Sequence, residues 1–142
     1  MKANLSTKEE NRQILLCNTN RNAKYFLETI KHRDNGKYKK IPNFLIKKTG
    51  EVINLHNNDV TSFFLPGFKI ERGVVVVSLE NDGWLKRRTS DGKYVNWLGD
   101  IYDSKVSEKK WRGKLFWDQY TDKQIKETSK VVGKICKKYR IP

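Results

Sequence analysis

Histidine is almost missing from this 142-residue chain, which has only His32 and His56. A zinc site of three histidines is therefore excluded. Cysteine is equally scarce, with Cys17 and Cys136 alone. Two such distant residues make neither a CxxC pair nor a disulfide framework, and both are expected to be buried free thiols in a reducing compartment. There is no glycine-rich phosphate loop and no Walker-type sequence. No apolar run reaches the roughly 20 residues that cross a bilayer. The start, Met1-Lys-Ala-Asn-Leu-Ser-Thr-Lys-Glu-Glu10, has no apolar signal-peptide core. A cytoplasmic protein without membrane contact is expected. Acid is the other shortage: 16 Asp and Glu stand against 30 Lys and Arg, a formal charge of +14. Such a chain attracts nucleic acid, nucleotides, phosphate-rich wall polymers or acidic protein surfaces. The competing reading is that the lysines are simply a solvated face.

What is present is a core. Hydrophobic residues make up 37% of the chain and aromatics 11%, enough for one folded domain over 1–142 and against wholesale disorder. Asn43-Phe-Leu-Ile-Lys-Lys-Thr-Gly-Glu-Val-Ile-Asn-Leu55 reads as strand, tight turn and returning strand, with Gly50 free to take positive φ. Val74-Val-Val-Val-Ser-Leu79 is the most β-prone run. Four consecutive valines imply a strand buried on both faces, in the middle of a sheet with helices on either side. The expected class is α/β.

Around that centre, residues 1–11 are a polar lead-in and Arg12 to Cys17 a first strand. Ala23 to Lys31 is a helix with Phe26, Leu27 and Ile30 on one face, ended by Asp34-Asn-Gly36. Val60 to Phe68 is apolar but broken by Pro and Gly, a cover for a sheet edge or a groove lining; Phe63-Phe-Leu65 is the one hint of an assembly surface. Trp84–Arg88 and Lys93–Trp97 flank Ser90-Asp-Gly92 as a second hairpin. Gly99 to Trp117 reads as an irregular excursion. The last element is a helix: Thr121 with Gln124 forms a capping box, Asp122 sits at the positive end of the dipole, and basic residues crowd the C-terminal end. Its expected buried face is Ile125, Val132, Ile135 and Tyr139.

Basic and aromatic residues interleave as Trp84, Lys86, Arg87, Arg88, Lys93, Trp97, then Lys109, Lys110, Trp111, Arg112 and Lys114. Arginine forks onto phosphate or carboxylate, and indole faces stack on bases or sugars. Each tryptophan also has a plain reading as core. Other chemistry is thin. Cys17 and His56 are weak candidates for a metal site or a nucleophile–base pair, and His32, between Lys31 and Arg33, is a poor place for a cation. Glu80 and Asp82 as an acid–base pair compete with a solvated turn.

Several stretches resemble one family. Asn43-Phe-Leu-Ile-Lys-Lys-Thr-Gly-Glu-Val-Ile53 is similar to the "H-F-x-I-x-x-D-G-x-I" hairpin of zinc-dependent N-acetylmuramoyl-L-alanine amidases and peptidoglycan recognition proteins. Val75-Val-Val-Ser-Leu-Glu-Asn81 resembles their central strand. Tyr120-Thr-Asp-Lys-Gln-Ile125, with the ending Tyr139-Arg-Ile-Pro142, resembles their last helix. Trp111-Arg-Gly and Trp117-Asp-Gln-Tyr-Thr121 look most like phage-encoded members. The resemblance covers about residues 12–142 and implies a mixed sheet with helices on both faces and a groove across one end.

The departures from that family decide the expected function. Family enzymes take one zinc ligand from a His ending the first strand, and two more from a His and a Cys or Asp beyond the last helix. Here the first strand ends Leu15-Leu-Cys-Asn18, the hairpin His is Asn43, its neighbour is Pro42, and the chain stops at Pro142, so the domain reads as C-terminally shortened. The resemblance then implies a catalytically inactive amidase-fold protein, phage-encoded and working in the infected host's cytoplasm. No cofactor is expected. Its former substrate groove, with Asn18 and Asn43, and its rim of Trp84, Lys86, Arg87, Arg88, Lys93, Trp97, Trp111 and Arg112 would bind an anionic ligand. Candidates are a nucleotide-type host defence signal, a nucleic acid or a peptidoglycan fragment. A peptidoglycan amidase whose missing ligands come from elsewhere, and a virion structural protein, are the alternatives.

Overall fold

The computed structural model describes residues 13–57 and 73–142. The lead-in at 1–11, Arg12, and the stretch Val60 to Phe68 with its Phe63-Phe-Leu65 lie outside the described residues.

Strand β4 (Val74–Leu79) is buried at every position. It pairs in parallel with β1 (Gln13–Asn18) on one side and with β2 (Phe44–Ile46) on the other. β3 (Val52–Asn54) returns antiparallel to β2, giving the order β1-β4-β2-β3. The valine run is thus the interior strand its composition demanded, and each buried valine contributes about 1.5–3 kcal/mol relative to exposure. The β2–β3 turn closes as the sequence requires: Gly50 donates to Lys47 O at 2.9 Å with φ of 89°. A Cβ there would sit 3.2 Å from Lys123 Cβ, so glycine also allows the C-terminal helix to approach.

Helix α1 (Ala23–His32) is capped by Asn22, whose side chain accepts from Tyr25 N–H, and buries Ala23 and Ile30. A short 3₁₀ turn (Arg33–Gly36) ends it, with Asp34 and Asn35 in left-handed conformation. Helix α2 (Asp122–Tyr139) starts at the Thr121–Gln124 capping box. Its Val131, Ile135 and Tyr139 pack on the sheet face that carries Phe44, Ile46, Val75, Val77 and Ile14.

Two expectations change. Ile125 is 52% exposed and lies off the buried face of α2, where Gln124 and Thr128 are buried instead. Gln124 is in phase with Ile135 at 100° per residue, whereas Ile125 is not. The Gln124 amide is tolerated inside because it donates to Ile46 O at 3.0 Å and Glu80 O at 2.8 Å. The second change concerns residues 99–117, which are not an irregular excursion. With the expected 84–97 hairpin, seen as β5 (Trp84–Arg87) and β6 (Tyr94–Val95), they supply β7 (Ile101–Tyr102), β8 (Val106–Trp111) and β9 (Lys114–Asp118). Together these make a second sheet ordered β7-β6-β5-β9-β8. The polar string Val106-Ser-Glu-Lys-Lys-Trp111 hid a strand because β8 is an edge and mostly exposed.

The two sheets meet at Asp118, which is buried at the end of β9. Its carboxylate oxygens lie 2.8 and 2.7 Å from Lys48 Nζ in the β2–β3 turn. It also accepts Asp82 N–H at 2.7 Å and the Tyr102 hydroxyl. Burial, then the bond to Asp118, pushes the Tyr102 pKa far above its ordinary value, so the phenol stays a donor. Replacing Asp118 with alanine should cost about 3 kcal/mol in urea unfolding. That is the low end for breaking a buried pair, since Lys48 keeps some access to water. A loss under about 0.5 kcal/mol, the level of a surface change, would refute this role.

Candidate functional site

In an open α/β sheet, ligands bind outside the carboxyl ends of the parallel strands. At that end of β1 stand Cys17 and Asn18. The Cys17 sulfur lies 3.0 Å from Ser78 Oγ, and burial raises its pKa, so it is a neutral thiol rather than a metal-ready thiolate. Tyr120, near Asp118 and Cys17, also has its pKa raised, first by burial. Asn18 and Asn20 border the start of β5, their side-chain atoms 3.9 and 3.0 Å from where a Cβ on Gly83 would be. Trp97 arrives from the second sheet, donates its indole N–H to Asn20 O and lies under the Arg21 guanidinium at 5.2 Å.

Behind this mouth the polar groups are already paired. Glu80 accepts Ala23 N–H at 3.0 Å and Lys48 N–H at 2.8 Å, tying the start of α1 to the hairpin turn. Asp82 is half-buried, bonds Asn96 Nδ2 at 3.5 Å and faces Asp118. Glu80 and Asp82 are therefore structural acceptors in a packed corner, not a solvated turn.

Asn43 does not line a groove. It is fully buried, accepts Val76 N–H at 2.9 Å and donates to Asn57 O at 3.1 Å, holding β2 against β4. Its neighbour His56 has Nε2 2.8 Å from Ile41 O and Nδ1 3.0 Å from Asn57 O. His56 follows β3 while Cys17 is on β1, the two edges of the sheet. Three strand spacings, about 14 Å, separate those edges, so the pair shares no ligand. Among the described residues, no three or more of His, Cys, Asp and Glu are grouped to hold a metal ion.

The expected rim residues separate in the structure. Lys86, Arg87 and Lys93 are exposed on the β5–β6 hairpin. Arg88 is committed to its turn, with Nε 3.2 Å from Asp91 Oδ1, and this bonding lowers the Asp91 pKa. Trp97 belongs to the mouth. Trp84, Trp111 and Arg112 form a continuous surface with Lys114, already part of the basic–aromatic run, and with Trp117, which that run did not include. Trp84 is the cross-strand partner of Trp117, whose ring lies 5.4 Å from that of Trp111. Lys114 Nζ sits 3.9 Å from the Trp84 ring, and the Arg112 guanidinium 4.5 Å from that of Trp111. A cavity of about 290 Å³ opens here between Ser107, Lys109, Trp111 and Trp117. Trp117 was detectable in principle, since strand alternation places it with Leu115 on the face away from Phe116.

The tip of this surface is conformationally costly. Arg112 and Gly113 join β8 to β9 with φ of 47° and 73°. Positive φ at both positions of a two-residue turn favours Asn-Gly. Arginine there is strained, and its guanidinium lies on Trp111.

No protein-family model matches the chain, and no curated protein matches it by sequence. The architecture does have a counterpart. The structure is similar to that of the N-acetylmuramyl-L-alanine amidase AmiD from E. coli, solved with the substrate anhydro-N-acetylmuramic acid-L-Ala-D-gamma-Glu-L-Lys. The TM-score is 0.60 at 12% identity, over 100% of this chain and 49% of that one. The chain thus spans about half the length of that amidase. At this identity the likeness is one of fold, and the fold is amidase-like.

Asp82 gives this corner a pH signature. Burial, and then the Asp118 charge, raise its pKa above 3.8. The fold therefore holds the proton more tightly than the unfolded chain does, and stability is lost as pH rises through that window. Asp82→Asn removes the charge and should stabilise the protein at pH 7 by about 0.5–2 kcal/mol, as relief of crowded charge commonly does. The gain should vanish below about pH 4, near the ordinary Asp value. Thermal melts across that range are the check, and a pH-independent difference would contradict it.

Proposed function

We propose that this chain is a binding protein without hydrolytic activity on an amidase-like fold. Its tryptophan–cation face takes an anionic ligand with flat rings, a nucleotide or single-stranded nucleic acid. The observation that carries this is the run Lys114, Trp84, Trp117, Trp111 and Arg112, in which three adjoining indoles are flanked by a cation at each end beside an open cavity. Bases stack on indoles with little regard to sequence, while lysine and arginine neutralise phosphate. The charge of +14 acts in the same sense over longer range. The strained Arg112 supports the reading: a residue kept where the turn prefers asparagine is retained against local stability. Lys86, Arg87, Lys93 and Trp97 would extend the surface toward the strand ends. A phage-encoded protein that sequesters a nucleotide signal of its host fits this chemistry.

A second reading is favoured by the fold comparison. AmiD was solved with a muropeptide, and a wall fragment bound near Asn18 and Trp97 would keep that ligand class while dispensing with zinc. Fluorescence titration of the tryptophans with a ten-nucleotide oligothymidine separates the two. Affinity should fall about ten- to twenty-fold between about 50 and about 200 mM salt, as about three phosphate contacts on a single strand imply. Trp111→Ala should weaken binding by about 1–3 kcal/mol. Arg112→Asn should weaken binding while raising the melting temperature. Salt-independent binding, or binding of the muropeptide alone, would overturn the nucleic-acid reading. Stoichiometric zinc uptake with hydrolysis of cell walls would overturn the non-enzymatic one.

A further inference from the structure

The opposite edge of the first sheet has a groove that the proposed ligand does not use. Among the described residues, β3 has a hydrogen-bonded neighbour on one side only, β2. Two bonds fix the phase of that ladder: Lys47 N–H to Glu51 O at 2.9 Å and Leu55 N–H to Asn43 O at 2.8 Å. Bonded and non-bonded pairs alternate in an antiparallel ladder. Ile53 therefore directs its N–H and C=O to Leu45, while Val52 and Asn54 turn theirs out from the sheet. Their side chains share the α2 face with Ile46 and Phe44.

Helix α2 runs beside this edge and leaves a cavity of about 390 Å³, with Phe44, Val52, Val131 and Ile135 as its apolar walls. Lys130, Lys134 and Lys138, one helical turn apart and on one face, rim it against the single acid Glu127. A second cavity of about 480 Å³ continues from Lys138 past Asn54 to His56 and Asn57.

We propose that this β3–α2 groove docks an extended acidic segment of a partner protein. The segment adds to β3 as a further strand, sets an apolar side chain into the cavity and turns its carboxylates to the lysine row. Outward backbone groups at alternate residues match the repeat of a strand, whereas a lipid-like anion leaves them unpaired. Three lysines against one glutamate select acid. A second copy of this chain is disfavoured, because pairing through β3 sets two lysine rows against each other.

The test uses the intact protein and a fluorescein-labelled heptapeptide, Glu-Thr-Leu-Thr-Glu-Thr-Glu, whose alternate positions put leucine and glutamates on one strand face, read by anisotropy. Saturable binding is expected. Lys134→Glu with Lys138→Glu should weaken it at least about ten-fold. Val52→Pro, which deletes an N–H turned out from the sheet among the described residues and is tolerated at an edge, should weaken it similarly with an unchanged circular dichroism spectrum. N-methylation of alternate peptide nitrogens should abolish it. Oligothymidine binding should survive both protein variants, which separates this site from the tryptophan face. Four results would each overturn the proposal: no binding of the acidic peptide, equal binding of its lysine counterpart, indifference to N-methylation, or a dimer lost on Val52→Pro. Displacement of the peptide by dodecanoate with no effect of N-methylation would assign the groove to an amphiphilic anion instead.

Discussion

The carboxylate of Asp118 is the constraint on which the arrangement depends. It lies where the last strand of the second sheet meets the turn of the first, and takes donors from three segments: Lys48, the Asp82 backbone and Tyr102. A buried carboxylate is costly unless its lone pairs are filled, so these segments cannot separate independently. Glu80 extends the tie to the first turn of α1, and Gln124 extends it to α2. The result is a polar core in which sheet, helix and hairpin are cross-linked by side chain to backbone.

This tie also shapes the functional reading. The acids near the strand ends, where open α/β sheets bind ligands, are occupied holding the structure together. The accessible chemistry lies instead on the outer face of the second sheet and along the β3 edge, both lined by cations. Fold and function separate in the usual way: a shared architecture limits where a groove can be, and side chains decide what enters it.

Legibility followed locality. Residues 44–55, the valine strand, the 84–97 hairpin and the capping box of α2 were readable because propensity, turn chemistry and apolar pattern agreed over a few residues. The burial of Gln124 and of Asn43 was not legible, for a common reason. Each is a polar residue fully buried because its partners are backbone groups of distant segments, Ile46 and Glu80 for one and Val76 for the other. No window of sequence contains those partners. The β8–β9 hairpin was missed because an exposed edge strand need not alternate apolar with polar.

By itself the sequence determined the class of the fold, the excess of positive charge and the absence of any three-histidine metal site. These depend on composition and short-range pattern, which survive without knowledge of contacts. Tertiary structure alone decided which tryptophans form one surface, that Cys17 and His56 stand on opposite edges, and that a lysine row borders an open strand. Each of these joins residues far apart in the chain, and register, sheet order and helix phase are set only when the whole core packs at once.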